Sequence, residues 1–434
     1  MYQIPTVLRS DEFRQIIRSD CDLSQINHKS TRKKEQRITD GMTQLMMNII
    51  SKWEKHSDFP FWNWVRLSYE FERSVCANDI PYFQHVLLNN GFQIDEHYRM
   101  PVNGLAGKTR AIAVPAEKVE CAIDYLKEKH KQVQNDDSAL IVDWSEPFDF
   151  KGVSIPSRIK INLDQMKDVS DEILENFEKL YRDWNLQLRL ASAIETNGWL
   201  EQNYTISEFG RCFGTGLSSL QSMPKVLLKK LLKGCWNLDV NTASLVILLE
   251  EHRRRFSSSS FPALERFVEW KSLIREEVAL SIGASVTSVK QGFTAIGFGM
   301  RSNFKPYLDS NGNLVTPTLT ATFDSNVEMA KRFRNHPLVK EFWREMKTLF
   351  AELSKAVEQE LPEYKRSQRA AYLFQHGEAK ILRSICRAVG EDLVFPKHDA
   401  VVVKHSINDV GIRSIQEKVY QETGYRITLS MESI

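Results

Sequence analysis

Two short apolar stretches, each carrying one aspartate, constrain this chain more than any other feature. WNLDV at 236–240 leads into the aliphatic run Leu245–Leu249, and LVFPKHDAVVV at 393–403 brackets Asp399. β-Branched and aromatic residues bounded by turn formers suit buried strands. The second stretch has the layout of a tight hairpin with Asp399 at its turn. Laid side by side, the two strands would bring Asp239 and Asp399 to one edge of a sheet, although 160 residues separate them. Read singly, the same residues are a helix-capping Asp239 and a turn-forming Asp399.

The chain has 434 residues, enough for two or three domains. Its longest aliphatic run, Leu245–Leu249, is too short to span a bilayer. The first residues, MYQIPTVLRSDEFR, are charged where a signal peptide needs an apolar core. These features predict an intracellular, cytoplasmic protein. Cys21, Cys76, Cys121, Cys212, Cys235 and Cys386 are scattered without a CxxC, which argues against a zinc ribbon and for reduced thiols. A net charge of +2 gives no bulk attraction to nucleic acid, so any such binding must come from local basic patches.

The N-terminal part opens on helix-like patterning, including the amphipathic stretch 41–53. A strand pair is expected around 92–100 and 111–115, joined by a loop with Asn103-Gly104 and Gly107-Lys108. Residues 127–149, mixing charge with Asn-Asp-Asp and Pro147, read as a linker. A helical pattern covers about 169–206, and helices are expected over 261–280, 286–298, 336–358, 368–389 and 408–423. A last strand is expected over 425–431. Helix and strand alternate without βαβ regularity, which predicts an α+β fold.

Phosphoryl transfer from a nucleotide uses two divalent cations held by carboxylates from separate elements. Asp239 and Asp399 are the candidates. On the helix expected at 286–298, Lys290 and Phe298 lie eight positions apart with Thr294 between them on one broad face. Such a lysine can meet phosphate oxygens while the ring stacks on a base or sugar. Gly292 and Gly297 inside that helix each cost about 1 kcal/mol against alanine, which points to close approach by a ligand, a bend or helix packing.

These segments resemble family A DNA polymerases, the bacterial polymerase I group. Asp239 resembles the aspartate of motif A, KQGFTAIGFGM with Lys290 resembles motif B, and His398-Asp399 resembles the His-Asp of motif C. Lys290 follows Asp239 by 51 residues and precedes Asp399 by 109, similar to the family's spacing. Gly210-Arg211 followed by LSSLQSMP is similar to the region that contacts the primer–template duplex, and FQHGEAKIL with Gln375 to the helix that touches the template. The resemblance covers about 207–434. It implies a right-hand polymerase with 1–150 as an N-terminal accessory domain, 151–206 as thumb-like helices, 207–245 with 336–434 as palm and 246–335 as fingers.

It further implies that Asp239, Asp399 and the Val240 carbonyl hold two Mg²⁺, with Mn²⁺ as an alternative. Lys290, Thr294, Phe298 and Ser244 would bind the nucleoside triphosphate. Arg211, Gln221, Gln375 and His398 would bind a DNA primer–template, with RNA as an alternative partner. The expected activity is template-directed primer extension. Departures from the family pattern are informative. Val286 stands where the family has an arginine for the triphosphate, so Arg275 or one of Arg253–Arg255 would have to substitute. Ser244 stands where a bulky glutamate crowds out a ribose 2′-hydroxyl, and Phe298 replaces a tyrosine. Ser244, with no recognisable exonuclease, favours an RNA polymerase or primase as the rival reading. The absent arginine favours a degenerate nucleic-acid-binding replication protein. A phage, plasmid or other mobile element is a plausible setting for so short an enzyme.

Basic residues cluster at Lys225, Lys229, Lys230 and Lys233 before Asp239 and at Arg253–Arg255 after it. They read as phosphate contacts or as solvated helix faces. The aromatic segment FPFWNWVRLSYEF at 59–71 reads as core of the first domain or as a platform for unpaired bases.

Overall fold

A computed structural model describes residues 6–10, 12–13, 63–68, 87, 93–94, 109–114, 116–131, 140–163, 177–216, 218–223, 225–256, 260–297, 299–300, 304–308, 314–397 and 399–434. Phe298, His398, the stretch 41–53 and the loop 103–108 lie outside the described residues. The chain divides into two compact units, one built from 1–146, 157–203 and 214–233, the other from 147–156, 204–213 and 234–434.

In the first unit, Asn63–Ser68 and Gln93–Ile94 flank Thr109–Val114 in an antiparallel sheet, with Gln93 opposite Ala113. This matches the strand pair expected from the sequence and adds part of the aromatic segment as a third strand. Helix Ala116–Lys131 packs on helix Phe177–Glu195, burying Val119, Ala122, Ile123 and Leu126 with Leu186 and Leu190. The segment read as a linker is structured where it is described. Its helix runs to Lys131, Ile141–Asp143 pairs with Arg158–Lys160, and Phe148–Asp149 pairs with Ser154–Ile155. The Asn-Asp-Asp that suggested a linker lies outside the described residues; two later acids close turns, Asp143 accepting from the Ser145 amide and Asp149 from the Gly152 amide. The helix expected to reach about 206 stops at Glu195, because Asn197 and Gly198 turn left-handed at φ 49° and 80°. A Cβ on Gly198 would lie 2.8 Å from the Ile161 carbonyl oxygen, so the turn requires glycine. Strands Trp199–Glu201 and Asn203–Ile206 follow.

The second unit is built on a four-stranded antiparallel sheet. Its strands are β1 (Trp236–Val240), β2 (Leu393–Lys397), β3 (Ala400–Val403) and β4 (Leu429–Ser433), in the order β2-β3-β1-β4. Val394, Val401 and Val403 are fully buried, so this short sheet has a dry interior. The expected last strand starts four residues late. Tyr425 and Ile427 fill core instead, with the Tyr425 hydroxyl donating to Glu251 at 2.5 Å.

Among the described residues seven longer helices accompany the sheet, besides a short one at Thr318–Thr322: α1 (Ala243–Arg255), α2 (Pro262–Ile282), α3 (Val286–Gly297), α4 (Val327–Asn335), α5 (Pro337–Ala356), α6 (Arg366–Val389) and α7 (Asp409–Thr423). Five of the predicted helices fall within a few residues of these. α6 lies against α1, α7 and the β2–β3 hairpin. Its Gly377 makes that approach feasible, since a Cβ there would lie 2.5 Å from Ile247 Cγ2 and 3.0 Å from the Tyr425 hydroxyl. α5 buries Val339, Phe342, Trp343, Met346, Leu349 and Leu353, three and four residues apart, on a face shared with α2 and α1. α2 begins at Pro262, and buried Glu345 of α5 accepts its Ala263 and Leu264 amides at 2.9 and 3.1 Å. A carboxylate on two otherwise orphaned amides also suits the helix dipole. Trp270 breaks α2 with φ −119° and ψ 29°, leaving two helical segments at an angle.

Candidate active site

Asp239 is the fourth residue of β1, and its register partner on β3 is Ala400, the neighbour of Asp399. The Val240 amide donates to the Asp399 carbonyl oxygen at 3.0 Å, so the ladder continues into the turn that carries the second acid. Two aspartates far apart in sequence are thereby fixed side by side, one on β1 and one in the turn that enters β3. They face a cleft of about 410 Å³ lined also by Val240, Ser244, Lys271, Arg275, Lys290 and Thr294.

The carboxyl of Asp239 is pushed up to about 6, first by burial and then by the negative charge of Asp399, against the pull of Lys271. Two carboxylates that repel each other beside an open cleft are a reservoir of unmet negative charge. Lys271, on α2, is half-buried and donates to Asn241 Oδ1 at 3.0 Å. Burial and the neighbouring Arg275 lower its ammonium from the usual lysine range. Arg275 stacks over Phe267 at 5.4 Å, and its Nε is buried without a hydrogen-bond partner. Lys290 projects from α3 into the same cleft and is exposed. Three cations and two carboxylates therefore share one wall-to-wall space.

The turn after β1 is strained. Thr242 has φ 55° and ψ 38°, and its Oγ1 is buried without a partner. A β-branched residue rarely adopts this left-handed conformation, at a cost of about 1–2 kcal/mol. Asn241, just before it, is pinned twice, donating its amide to the Thr428 carbonyl and accepting from Lys271 Nζ at its side-chain oxygen. Outliers of this kind cluster at functional sites.

The remaining candidates sort cleanly. Ser244 and Thr294 line the cleft, with the Thr294 hydroxyl back-bonded to the Lys290 carbonyl at 2.9 Å. Arg211 and Gln375 lie in this unit, but Arg211 does not present a free guanidinium. It meets Glu378 Oε2 at 2.6 Å and stacks over Phe374 at 4.8 Å. Burial and Asp399 push the Glu378 carboxyl up to about 7, with Arg211 opposing. Gln221 lies in the other unit and accepts the Gly214 amide at 2.7 Å. Phe298 and His398 are outside the described residues.

Of the cations expected to replace the missing arginine at Val286, Arg275 reaches the cleft and Arg253–Arg255 do not. Arg253 pairs with Glu250 and Glu265, Arg254 and Arg255 pair with Glu251, and Arg254 also caps the Thr423 carbonyl. The same three residues are thereby withdrawn from the phosphate-binding role considered for them. Lys271 was not singled out in the sequence. A lone lysine in an amphipathic helix carries no signal of its own, and its meaning comes from the partner strand. The two glycines of α3 separate as well. A Cβ on Gly292 would meet the Phe333 ring at 2.7 Å, so this glycine serves packing, whereas Gly297 has nothing within 4 Å and opens onto the cleft.

The donor set tests what cation the site suits. Among the described residues no three His, Cys, Asp or Glu side chains converge as a protein-only cage. Two hard carboxylates and a backbone carbonyl suit Mg²⁺, which keeps waters and completes its shell with substrate phosphates, rather than a four-ligand zinc site.

No family model matches the chain, and no curated protein matches it. Among solved structures the chain is similar to the POL domain of Pol1 from M. smegmatis, in complex with DNA primer–template and dNTP. That likeness has 12% identity and a TM-score of 0.40, and spans 73% of this chain and 64% of that one. No helix among the described residues is long and apolar enough to cross a membrane.

Proposed function

We propose that the chain is a template-directed nucleotidyltransferase, a DNA polymerase of family A type that extends a primer. One observation supports this above all: Asp239, on β1, and Asp399, in the turn that enters the adjacent strand β3, line one cleft together with Lys271, Arg275 and Lys290. In this reading 207–245 with 336–434 forms the palm, 246–335 the fingers, 151–206 the thumb and 1–150 an accessory domain.

The reaction is attack of a primer 3′-hydroxyl on the α-phosphate of a nucleoside triphosphate, with pyrophosphate leaving. Asp239, Asp399 and the Val240 carbonyl would hold Mg²⁺. When bound, Mg²⁺ supplies a lowered pKa for the attacking hydroxyl and stabilisation of the crowded phosphoryl charge. Lys271, Arg275 and Lys290 bind the triphosphate, Arg275 standing in for the arginine absent at Val286. An ammonium and a planar guanidinium from α2, joined by Lys290 from α3, grip the phosphates from two sides. Lys290, the exposed member, is placed to give a proton to the departing pyrophosphate. The two aspartates repel each other beside three protein cations, a charge arrangement that suits a metal ion on the acids and a triphosphate on the cations.

Ser244 in the cleft lining favours a second reading, use of ribonucleotides as an RNA polymerase or primase. Primer extension with Mg²⁺ and either dNTPs or NTPs, with and without primer, separates the two. Full synthesis by Asp239→Asn or Asp399→Asn would refute both.

A further inference from the structure

A second group of cations lies on α6, away from the lining of the cleft. His376, Lys380 and Arg383 are spaced four and three residues apart, so they share one face of the helix. Each is partly exposed. Two tight turns meet that face. In the first, Lys151 has φ 50° and Gly152 φ 84°, and Asp149 Oδ1 holds the Gly152 amide at 2.6 Å, so Lys151 sits at the tip of a fixed turn. In the second, Gly210 has φ 84° and its amide donates to the Ser207 carbonyl at 2.8 Å. Lys151 Nζ and Arg383 Nη1 both lie within 4 Å of the position a Cβ on Gly210 would take. Arg383 is steadied over the Phe150 ring at 5.6 Å.

Like charges gathered so closely repel. Among the described residues no carboxylate pairs with Lys151, Lys380 or Arg383, although Arg387, one turn on, has Glu422 at 2.5 Å. The three cations, after burial, hold the His376 imidazole below its usual range. Aromatic rings continue the stripe at its other end. His376 stacks on Tyr372 at 5.6 Å and 13°, and Tyr372 meets Phe209 at 5.4 Å and Tyr364 at 5.3 Å. Cations that lack counter-charges, laid in a row beside half-exposed rings, match a polyanion with flat bases better than an acidic peptide.

We propose that Lys151, Lys380 and Arg383, with His376 and Tyr372 beside them, form a track for the phosphodiester backbone of a nucleic-acid strand. The track is separate from the cleft of Asp239 and Asp399. It rests on the polymerase reading only in the choice of nucleic acid over other polyanions. The cations meet successive phosphates as point charges, and the Tyr372–His376 pair gives a platform for an adjoining base or sugar. Binding here needs no divalent cation and reads no sequence.

The test is equilibrium binding of a fluorescent 20-nucleotide single strand and of its duplex, by anisotropy, in EDTA across a salt series (about 20 nucleotides exceeds one site). The triple variant Lys151→Ala/Lys380→Ala/Arg383→Ala should bind at least about tenfold more weakly at moderate salt. Its plot of log affinity against log salt should flatten by about two units for the single strand, at about 0.7 per cation removed. The charge-conserving pair Lys380→Arg/Arg383→Lys should bind as the unaltered chain does, which separates lost charge from lost fold. Asp239→Asn should also bind normally in EDTA, so failure of the track and failure of the polymerase reading give different results. Unchanged affinity and slope in the triple variant would overturn the proposal. So would polyglutamate that displaces the strand as well as unlabelled DNA of equal charge, since the surface would then be an acidic-peptide site.

Discussion

The main-chain amide of Val240 donates to the carbonyl of Asp399 at 3.0 Å, one residue beyond the pairing of Asp239 with Ala400. This bond ties the strand that carries Asp239 to the turn that carries Asp399 through backbone rather than through side chains. Substituting either carboxylate should therefore leave the sheet intact and remove only charge. Asp239→Asn and Asp399→Asn are expected to fold normally and to lose primer extension by about three orders of magnitude or more. Circular dichroism and single-turnover assays on the same samples check this.

Asp239 should also leave a signature in stability. Its folded carboxyl lies at about 6, above the ordinary aspartate value of 3.8, so the unfolded chain releases that proton first as pH rises. Ionised Asp239 thus opposes folding, and its stability contribution falls as pH rises from about 4 to about 6 and stays lost above that. Because the group is partly exposed, solvent screening reduces the effect to about 1 kcal/mol. Asp239→Asn should unfold at higher urea than the unaltered chain at pH 8, with the difference vanishing near pH 4. A difference that grew toward acid pH would contradict the burial and repulsion assigned to this residue.

Lys271→Met and Arg275→Met should each weaken triphosphate use by about 10- to 100-fold in kcat/KM, from loss of a charge-assisted contact in a partly desolvated cleft. Arg253→Met should change it little, since Arg253 is held by Glu250 and Glu265. Steady-state kinetics against nucleotide concentration distinguish the two groups.

Ser244→Glu should lower ribonucleotide incorporation relative to deoxyribonucleotide incorporation by about tenfold or more, because the longer side chain would crowd a 2′-hydroxyl in the cleft. Matched extension reactions with one base in both sugar forms report the ratio. An unchanged ratio would remove Ser244 from sugar selection.

The glycines of α3 should respond oppositely. Gly292→Ala is expected to cost about 1–3 kcal/mol, since its methyl would press on the Phe333 ring at 2.7 Å. Gly297→Ala, with nothing within 4 Å, should be neutral or gain up to about 1 kcal/mol from helix propensity. Denaturant midpoints of the two variants provide the comparison.

Much of the second unit was legible in the sequence, because its signals are local. The helical patterns of 337–356, 366–389 and 409–423 and the hairpin around Asp399 each declare themselves within a few residues. The pairing of β1 with β3 was an inference from two separate strands, and the register bears it out. What stayed hidden depended on distant partners. Lys271 acquires its meaning from Asn241, thirty positions away, and Arg211 from Glu378, 167 positions away. Arg253–Arg255 looked like a phosphate-binding run because the carboxylates that neutralise them could not be placed. The polar composition of 127–149 suggested a linker, since acids that cap turns and acids that only solvate look alike in a string of letters.

The placement of β1 carries a consequence for how the molecule comes into being. Both of its neighbours, β3 and β4, are drawn from beyond residue 399. During synthesis the first aspartate emerges long before the strands that flank it, and until they arrive it has no second acid to face. The cleft that we propose for nucleotides is therefore incomplete until nearly the whole chain has emerged.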